Sequence, residues 1–237
     1  MWAGTGEFVM RIAEIYQSLQ GEGFLTGTDS VFVRVSGCNL RCRYCDTPFA
    51  SWKPEGEDCS TAEITQRILS LPCRHVVLTG GEPMLFAELI PLSQSLKARD
   101  RHVTVETAGT LYLPVACDLM SISPKLSNST PDFADAGKWQ ARHEQSRSAP
   151  EAIRQIVAEY EYQFKFVIDE PADCDEVEGY LLEFPEIDRT RVMLMPEGTD
   201  QDHLARIARW LEPYCREHQL IFCPRKQIEW FGATRGT

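Results

Sequence analysis

Six short apolar runs rich in β-branched residues alternate along the chain with longer stretches of three- and four-residue apolar spacing. The runs are VFVRV (31–35), HVVLT (75–79), HVTVE (102–106), LMSIS (119–123), QFKFVI (163–168) and VMLM (192–195). Amphipathic stretches follow at 60–71, 86–98, 177–184 and 200–218, the first opened by Ser60-Thr61-Ala62-Glu63, a capping-box pattern. Strands that alternate with helices predict an α/β fold with a mostly parallel sheet. Right-handed crossovers favour a partial, open βα barrel of about six strands over a flat doubly wound sheet. Residues 11–16 and 220–223 are candidate extra strands. The polar segment 126–151 reads as a long excursion between the fourth and fifth strands. No linker divides the chain, so one domain over 1–237 is expected, with an N-terminal extension (1–30), a barrel core (31–200) and a closing helix and segment (201–237).

Composition excludes several classes. At 43% hydrophobic and 25% charged residues the 237-residue chain is an ordinary globular one. Its 24 Lys and Arg face 35 Asp and Glu, and a net charge of −11 disfavours nucleic acid and anionic membrane as partners. No apolar stretch approaches the roughly 20 residues of a membrane span. The N-terminus lacks the basic start, apolar block and cleavage site of a secretory signal, so a cytoplasmic location is expected.

Nine cysteines, an odd number, argue against a disulfide framework. Six are dispersed, as small buried apolar side chains are. The other three, Cys38, Cys42 and Cys45, crowd one loop directly after the first run in a C-x3-C-x2-C spacing. Three thiolates converging on an iron–sulfur cube leave one iron without a protein ligand. An open coordination position is what makes a metal site reactive. A closed zinc site is the other reading, with Cys59 as the fourth ligand.

Polar clusters recur where predicted strands end: Thr79-Gly80-Gly81-Glu82-Pro83, Glu106-Thr107, Ser123-Pro124-Lys125 and Met195-Pro196-Glu197-Gly198. That is where βα barrels assemble active sites. Two glycines at 80–81 would let a ligand approach the backbone, with Glu82 accepting from an amine; a plain strand-to-helix turn is the alternative. Upstream, Gln20 and Glu22, flanked by glycines within 14–23, can offer donors and acceptors to a flat heterocycle, or simply form a glycine-rich turn.

The cysteine spacing resembles the signature of radical S-adenosylmethionine (radical SAM) enzymes, in which the unligated iron binds SAM and the 5′-deoxyadenosyl radical abstracts hydrogen. Within that superfamily, the 14–23 segment, Arg34, the cluster loop and Asp46-Thr47 resemble the 7-carboxy-7-deazaguanine synthase family of queuosine and deazapurine biosynthesis. The resemblance implies a lyase that converts 6-carboxy-5,6,7,8-tetrahydropterin to 7-carboxy-7-deazaguanine with loss of ammonia. It implies a 4Fe-4S cluster on Cys38, Cys42 and Cys45, and Mg2+ at Thr47. SAM would contact Tyr44, Cys45, Asp46, Gly81, Ser123, Pro124, Lys125, Met195, Pro196, Glu197 and Gly198. Substrate would meet Leu19, Gln20, Gly21, Arg34 and Thr79, with Arg34 on its carboxylate. A homodimer and an electron donor such as flavodoxin or ferredoxin are further expectations. The closing segment 224–232 departs from the family in having Gln227 where His is expected. Two rivals remain at this level: a radical SAM activase that makes a glycyl radical on a partner protein, and a zinc-stabilised interaction protein without catalysis.

Overall fold

The structure, a computed structural model, describes residues 9–237; the first eight residues of the expected 1–30 extension lie outside them. The chain runs β1 (Val9–Leu19), β2 (Asp29–Val35), β3 (Glu57–Ser60), α1 (Thr61–Leu69), β4 (His75–Gly80), α2 (Leu89–Lys97), β5 (His102–Thr107) and β6 (Leu119–Ile122). It continues through α3 (Phe133–Ala136), α4 (Trp139–Arg147), α5 (Pro150–Glu159), β7 (Tyr162–Ile168), α6 (Pro171–Glu183), β8 (Val192–Pro196), α7 (Gln201–Glu217), β9 (Ile221–Phe222) and α8 (Lys226–Phe231).

One sheet has the order β3-β1-β2-β4-β5-β6-β7-β8-β9. It ends on different strands at its two edges, so it is an open barrel. From β2 onward every pair is parallel, while β1 pairs antiparallel with both β2 and β3. All six expected strands form, and the two candidate extras become β1 and β9. With the two extras the sheet reaches eight strands, and β3, an edge that Glu57-Asp58-Cys59-Ser60 does not announce by apolar content, is the ninth.

Period-two alternation sorts the side chains into two faces. Val31, Val33 and Val35, Val76 and Leu78, Val103 and Val105, and Phe164, Phe166 and Ile168 point into the core beneath the helices. Their neighbours Phe32, Arg34, Thr79, Glu106, Lys165 and Val167 face the concave side and line a cavity there. A parallel strand covered on both faces is expected to be apolar throughout; here the second face carries charge. The helices follow their caps: Ser60 and Glu63 close the predicted capping box at α1, and Asp200 accepts the His203 N–H at α7.

The 126–151 excursion is ordered. It holds a 3-10 turn at Ser127–Ser129, α3, α4 and the start of α5. Its centre is His143, which is fully buried on an otherwise polar helix.

Candidate active site

The cavity, about 370 Å3, opens where the parallel strands end. Cys38, Cys42 and Cys45 lie on its wall, carried by the loop that leaves β2. All nine cysteines are free thiols. Burial pushes Cys38 up to about 12 and Cys42 up to about 11, and the mutual repulsion of neighbouring thiolates adds to both. A cationic centre is what would draw those two thiols into the thiolate form.

Spacing distinguishes one ion from a cluster. Zn–S bonds of about 2.3 Å require ligand sulfurs within roughly 4.6 Å of one another. Among the described residues, the group of three donors that close together is Asp169, Glu197 and His203, not the cysteines. Cys59, the fourth ligand of the zinc reading, is buried in β3 within the core and is not on the cavity wall. Cys73, Cys174, Cys215 and Cys223 are likewise buried, as expected of dispersed cysteines, and Cys117 is half-buried.

Tyr44, Asp46, Thr47, Gly81, Ser123, Lys125, Met195, Glu197 and Gly198 join the cysteines on the wall. Pro124 and Pro196, expected there too, are not on it: both are buried, and Pro196 ends β8 in register with Ile168. Lys125 folds back, its Nζ donating to the Ser123 carbonyl (2.7 Å) and Oγ (2.6 Å). Glu197 and Asp169 both face the His203 Nε2, at 3.5 and 3.6 Å.

The Gly-Gly-Glu turn also has a packing role. A Cβ on Gly80 would sit 2.2 Å from the Val35 carbonyl oxygen, and one on Gly81 2.0 Å from that of Gly37. Backbone packing against the cysteine loop requires both glycines. Glu82 is fully buried and accepts from the Met84 N–H (3.0 Å), the Thr107 hydroxyl (2.8 Å) and the Ala108 N–H (2.8 Å). It braces the loops after β4 and β5, and Gly80 and Gly81 beside it line the cavity.

Leu19, Gln20, Gly21, Arg34 and Thr79 line the other half of the cavity. Gln20 Nε2 donates to Glu106 (3.2 Å), and Thr79 Oγ1 donates to its second oxygen (2.8 Å). Lys165 donates to Glu22 (2.9 Å) and Glu106 (3.3 Å). Burial opposes the charge on Glu22, but Lys165 and Arg225 outweigh it and hold the carboxylate down at about 2. Burial opposes the Lys165 ammonium too, and Glu106 and Glu22 more than restore it. The result is an alternating set of fixed donors and acceptors. Arg34 is held by Glu14 (2.7 Å) and the Tyr16 hydroxyl (3.0 Å).

Sequence reasoning missed Lys165 and Arg225. A lysine at the centre of an otherwise apolar strand was the available signal for the first. Arg225 donates to the Gly198 carbonyl (2.7 Å) and pairs with Asp46 and Glu22, so it ties three walls together. Gln227, the departure noted above, donates to Glu22 (2.5 Å) and leaves its Oε1 buried without a protein partner among the described residues.

The radical SAM superfamily profile matches residues 32–124. The sequence is 42% identical to the 7-carboxy-7-deazaguanine synthase of Rhodopirellula baltica, across 99% of this chain and 91% of that one. It is 41% identical to the 7-carboxy-7-deazaguanine synthase of Halobacterium salinarum, across 92% and 88%. The crystal structure of QueE from Escherichia coli superposes with a TM-score of 0.70 at 21% identity, covering 93% of this chain and 96% of that one, which bears on the fold.

Proposed function

The chain belongs to the 7-carboxy-7-deazaguanine synthase family of radical SAM enzymes, and from that premise we infer that it converts 6-carboxy-5,6,7,8-tetrahydropterin to 7-carboxy-7-deazaguanine with loss of ammonia. The observation that carries this reading is the meeting of three cysteines and a fixed polar array in one cavity. When bound, a 4Fe-4S cluster and SAM would supply one-electron cleavage of the sulfonium and, from the radical so formed, hydrogen-atom abstraction.

The chain's own residues supply position and shelter. Cys38, Cys42 and Cys45 would hold the cluster. Tyr44, Asp46, Gly81, Ser123, Lys125, Met195, Glu197 and Gly198 would surround SAM, and the roles of Pro124 and Pro196 reduce to shaping the strand ends. Gln20, Glu22, Glu106 and Lys165 suit a heterocycle with alternating ring donors and acceptors, because Glu22 stays ionised and Lys165 stays protonated. Leu19, Gly21 and Thr79 complete that face. Arg34 is half-buried and pre-oriented by Glu14, as a partner for the substrate carboxylate should be. Thr47 offers Mg2+ a hard oxygen beside the substrate. Residues of the segment after β9, Arg225 and Gln227 among them, form part of the cavity wall.

The same reading takes 1–237 as one radical SAM domain, served by an electron donor such as flavodoxin or ferredoxin and paired as a homodimer. No helix among the described residues is long and apolar enough to cross a membrane, in keeping with a cytoplasmic enzyme. The glycyl-radical activase gains no support, since a protein substrate has no use for a small enclosed polar array.

Anaerobically reconstituted protein, given carboxytetrahydropterin, SAM, Mg2+ and a reductant, should yield the deazaguanine by mass spectrometry. A cluster-loaded protein that cleaves SAM but forms no ring-contracted product would overturn the assignment. Cys42→Ala should assemble no cluster, measured as iron and sulfide per chain, because two thiols cannot hold the cube.

A further inference from the structure

The excursion between β6 and α5 grips the cysteine loop from behind. His143 on α4 accepts the Arg41 N–H at Nδ1 (3.1 Å). An imidazole nitrogen that accepts leaves the other as the donor, so Nε2–H points to the Ser129 Oγ at 2.9 Å. Ser129 agrees with that tautomer, because its own hydroxyl donates to the Leu126 carbonyl (2.6 Å). The Ser129 carbonyl accepts the Arg43 N–H (2.9 Å). His143 and Ser129 are both fully buried.

Those two N–H groups flank Cys42. The neighbouring Leu40 N–H shows the alternative: it points at the Cys38 Sγ, 3.4 Å away. The Arg41 side chain adds a third hold, donating to the Cys38 and Leu40 carbonyls (2.8 and 2.7 Å) with its guanidinium 4.1 Å over the Trp139 ring of α4.

We propose that His143 and Ser129 are positioning residues for the iron–sulfur centre, engaging the peptide N–H groups on either side of Cys42 so that they do not hydrogen-bond to its sulfurs. The inference rests on the cluster reading of Cys38, Cys42 and Cys45. A donor aimed at a cluster sulfur stabilises the added electron and raises the potential. Diverting two donors keeps the centre strongly reducing, which one-electron cleavage of a sulfonium demands. The same bonds fix the loop that carries the middle ligand, so they slow cluster loss.

The test uses anaerobically reconstituted full-length protein. His143→Leu removes both hydrogen bonds of the ring; His143→Asn keeps an acceptor near the position of Nδ1. The readouts are an EPR-monitored redox titration of the cluster and the rate of iron loss to a chelator. His143→Leu should shift the midpoint to a more positive potential and lose iron about fivefold faster, the effect of one hydrogen bond. His143→Asn should restore both toward wild type. A His143→Leu protein with wild-type potential and wild-type iron loss overturns the proposal, as does an Asn variant no better than Leu. If His143→Leu does not fold, His143→Phe, which keeps a ring of similar size and removes the acceptor of the Arg41 N–H, should move the potential the same way; an unmoved potential there overturns it equally. Wild-type protein that assembles no cluster would instead remove the functional reading, and this inference with it.

Discussion

Lys165 is the residue on which most of the substrate array depends. It sits between Glu22 and Glu106 with its side chain 5% exposed. Breaking a buried ion pair by deleting one partner costs about 3–5 kcal/mol, since the other charge stays buried. Lys165→Met leaves two carboxylates facing each other and should lower Tm by roughly 10 °C, read by differential scanning calorimetry. A variant as stable as wild type would show that the carboxylates are solvated. Acid tests the same network. The folded chain holds Glu22 near 2 against an ordinary 4.5, so its stabilisation is complete above pH 4.5 and disappears as pH falls toward 2. His143 is displaced by burial from 6.5 to about 4, and burial also lowers His75 and His102. There the unfolded chain takes the proton first, so stability falls as pH drops below 6.5. Cluster-free protein should lose Tm in two acid steps, the histidine step first. His143→Asn should flatten the first step, and an unchanged profile would count against a buried neutral imidazole. The cysteine loop was legible from spacing alone. Arg225 was not, since nothing in a Pro-Arg-Lys-Gln sequence says which cation turns inward.

At the scale of elements, strands and helices were read with unequal success for a physical reason. The β-branched runs at 31–35 and 75–79 advertise burial on two faces. Thr61–Leu69 carries both a capping box and an apolar stripe. Helix α4 carries neither: Trp139-Gln140-Ala141-Arg142-His143-Glu144-Gln145-Ser146-Arg147 buries a single residue, and that one is polar. Its place is set by what it touches in the cysteine loop, which local sequence does not encode. α5 escaped for another reason, since its Pro150 start lies inside the polar excursion and its buried Ile153 and Ile156 beyond it. Helix α8 is the element whose docking can be tested. A Cβ on Gly21 would lie 2.2 Å from Gln227 Oε1 and 2.6 Å from its backbone N, and Gly21 accepts the Lys226 N–H at 3.0 Å. Gly21→Ala should push α8 off the cavity and make the tail after Cys223 sensitive to limited proteolysis. Misplacement by about an ångström should cost product formation about a hundredfold, with the cluster retained. A protected tail would show that α8 tolerates the methyl group.

On the scale of the whole molecule, the sheet is an open barrel whose site is completed by both ends of the chain. The N-terminal hairpin β1–β2 brings Gln20 and Glu22, the parallel strands bring Thr79, Glu106 and Lys165, and the segment after β9 brings Arg225 and Gln227. Contacts across some 200 residues, such as Gln227 to Glu22, cannot be read from local pattern. Among the described residues, Arg225 is the one side chain that bonds the hairpin, the cysteine loop and the loop after β8 together. Its side chain is 9% exposed, so its charge is committed to those partners. Arg225→Met keeps the volume of the stem and removes the fork, leaving Glu22 with Lys165 and Asp46 without an ion-pair partner among the described residues. The cysteines do not depend on Arg225, so iron and sulfide content should match wild type. The hairpin and the cysteine loop, however, would lose their shared anchor. SAM cleavage should therefore persist while product falls by more than about tenfold, the worth of a charge-assisted hydrogen bond. Quantifying 5′-deoxyadenosine against deazaguanine in the same reaction measures that uncoupling. Equal losses of both would mean that Arg225 serves the cofactor half of the cavity alone, and the two chain ends would then close the site independently.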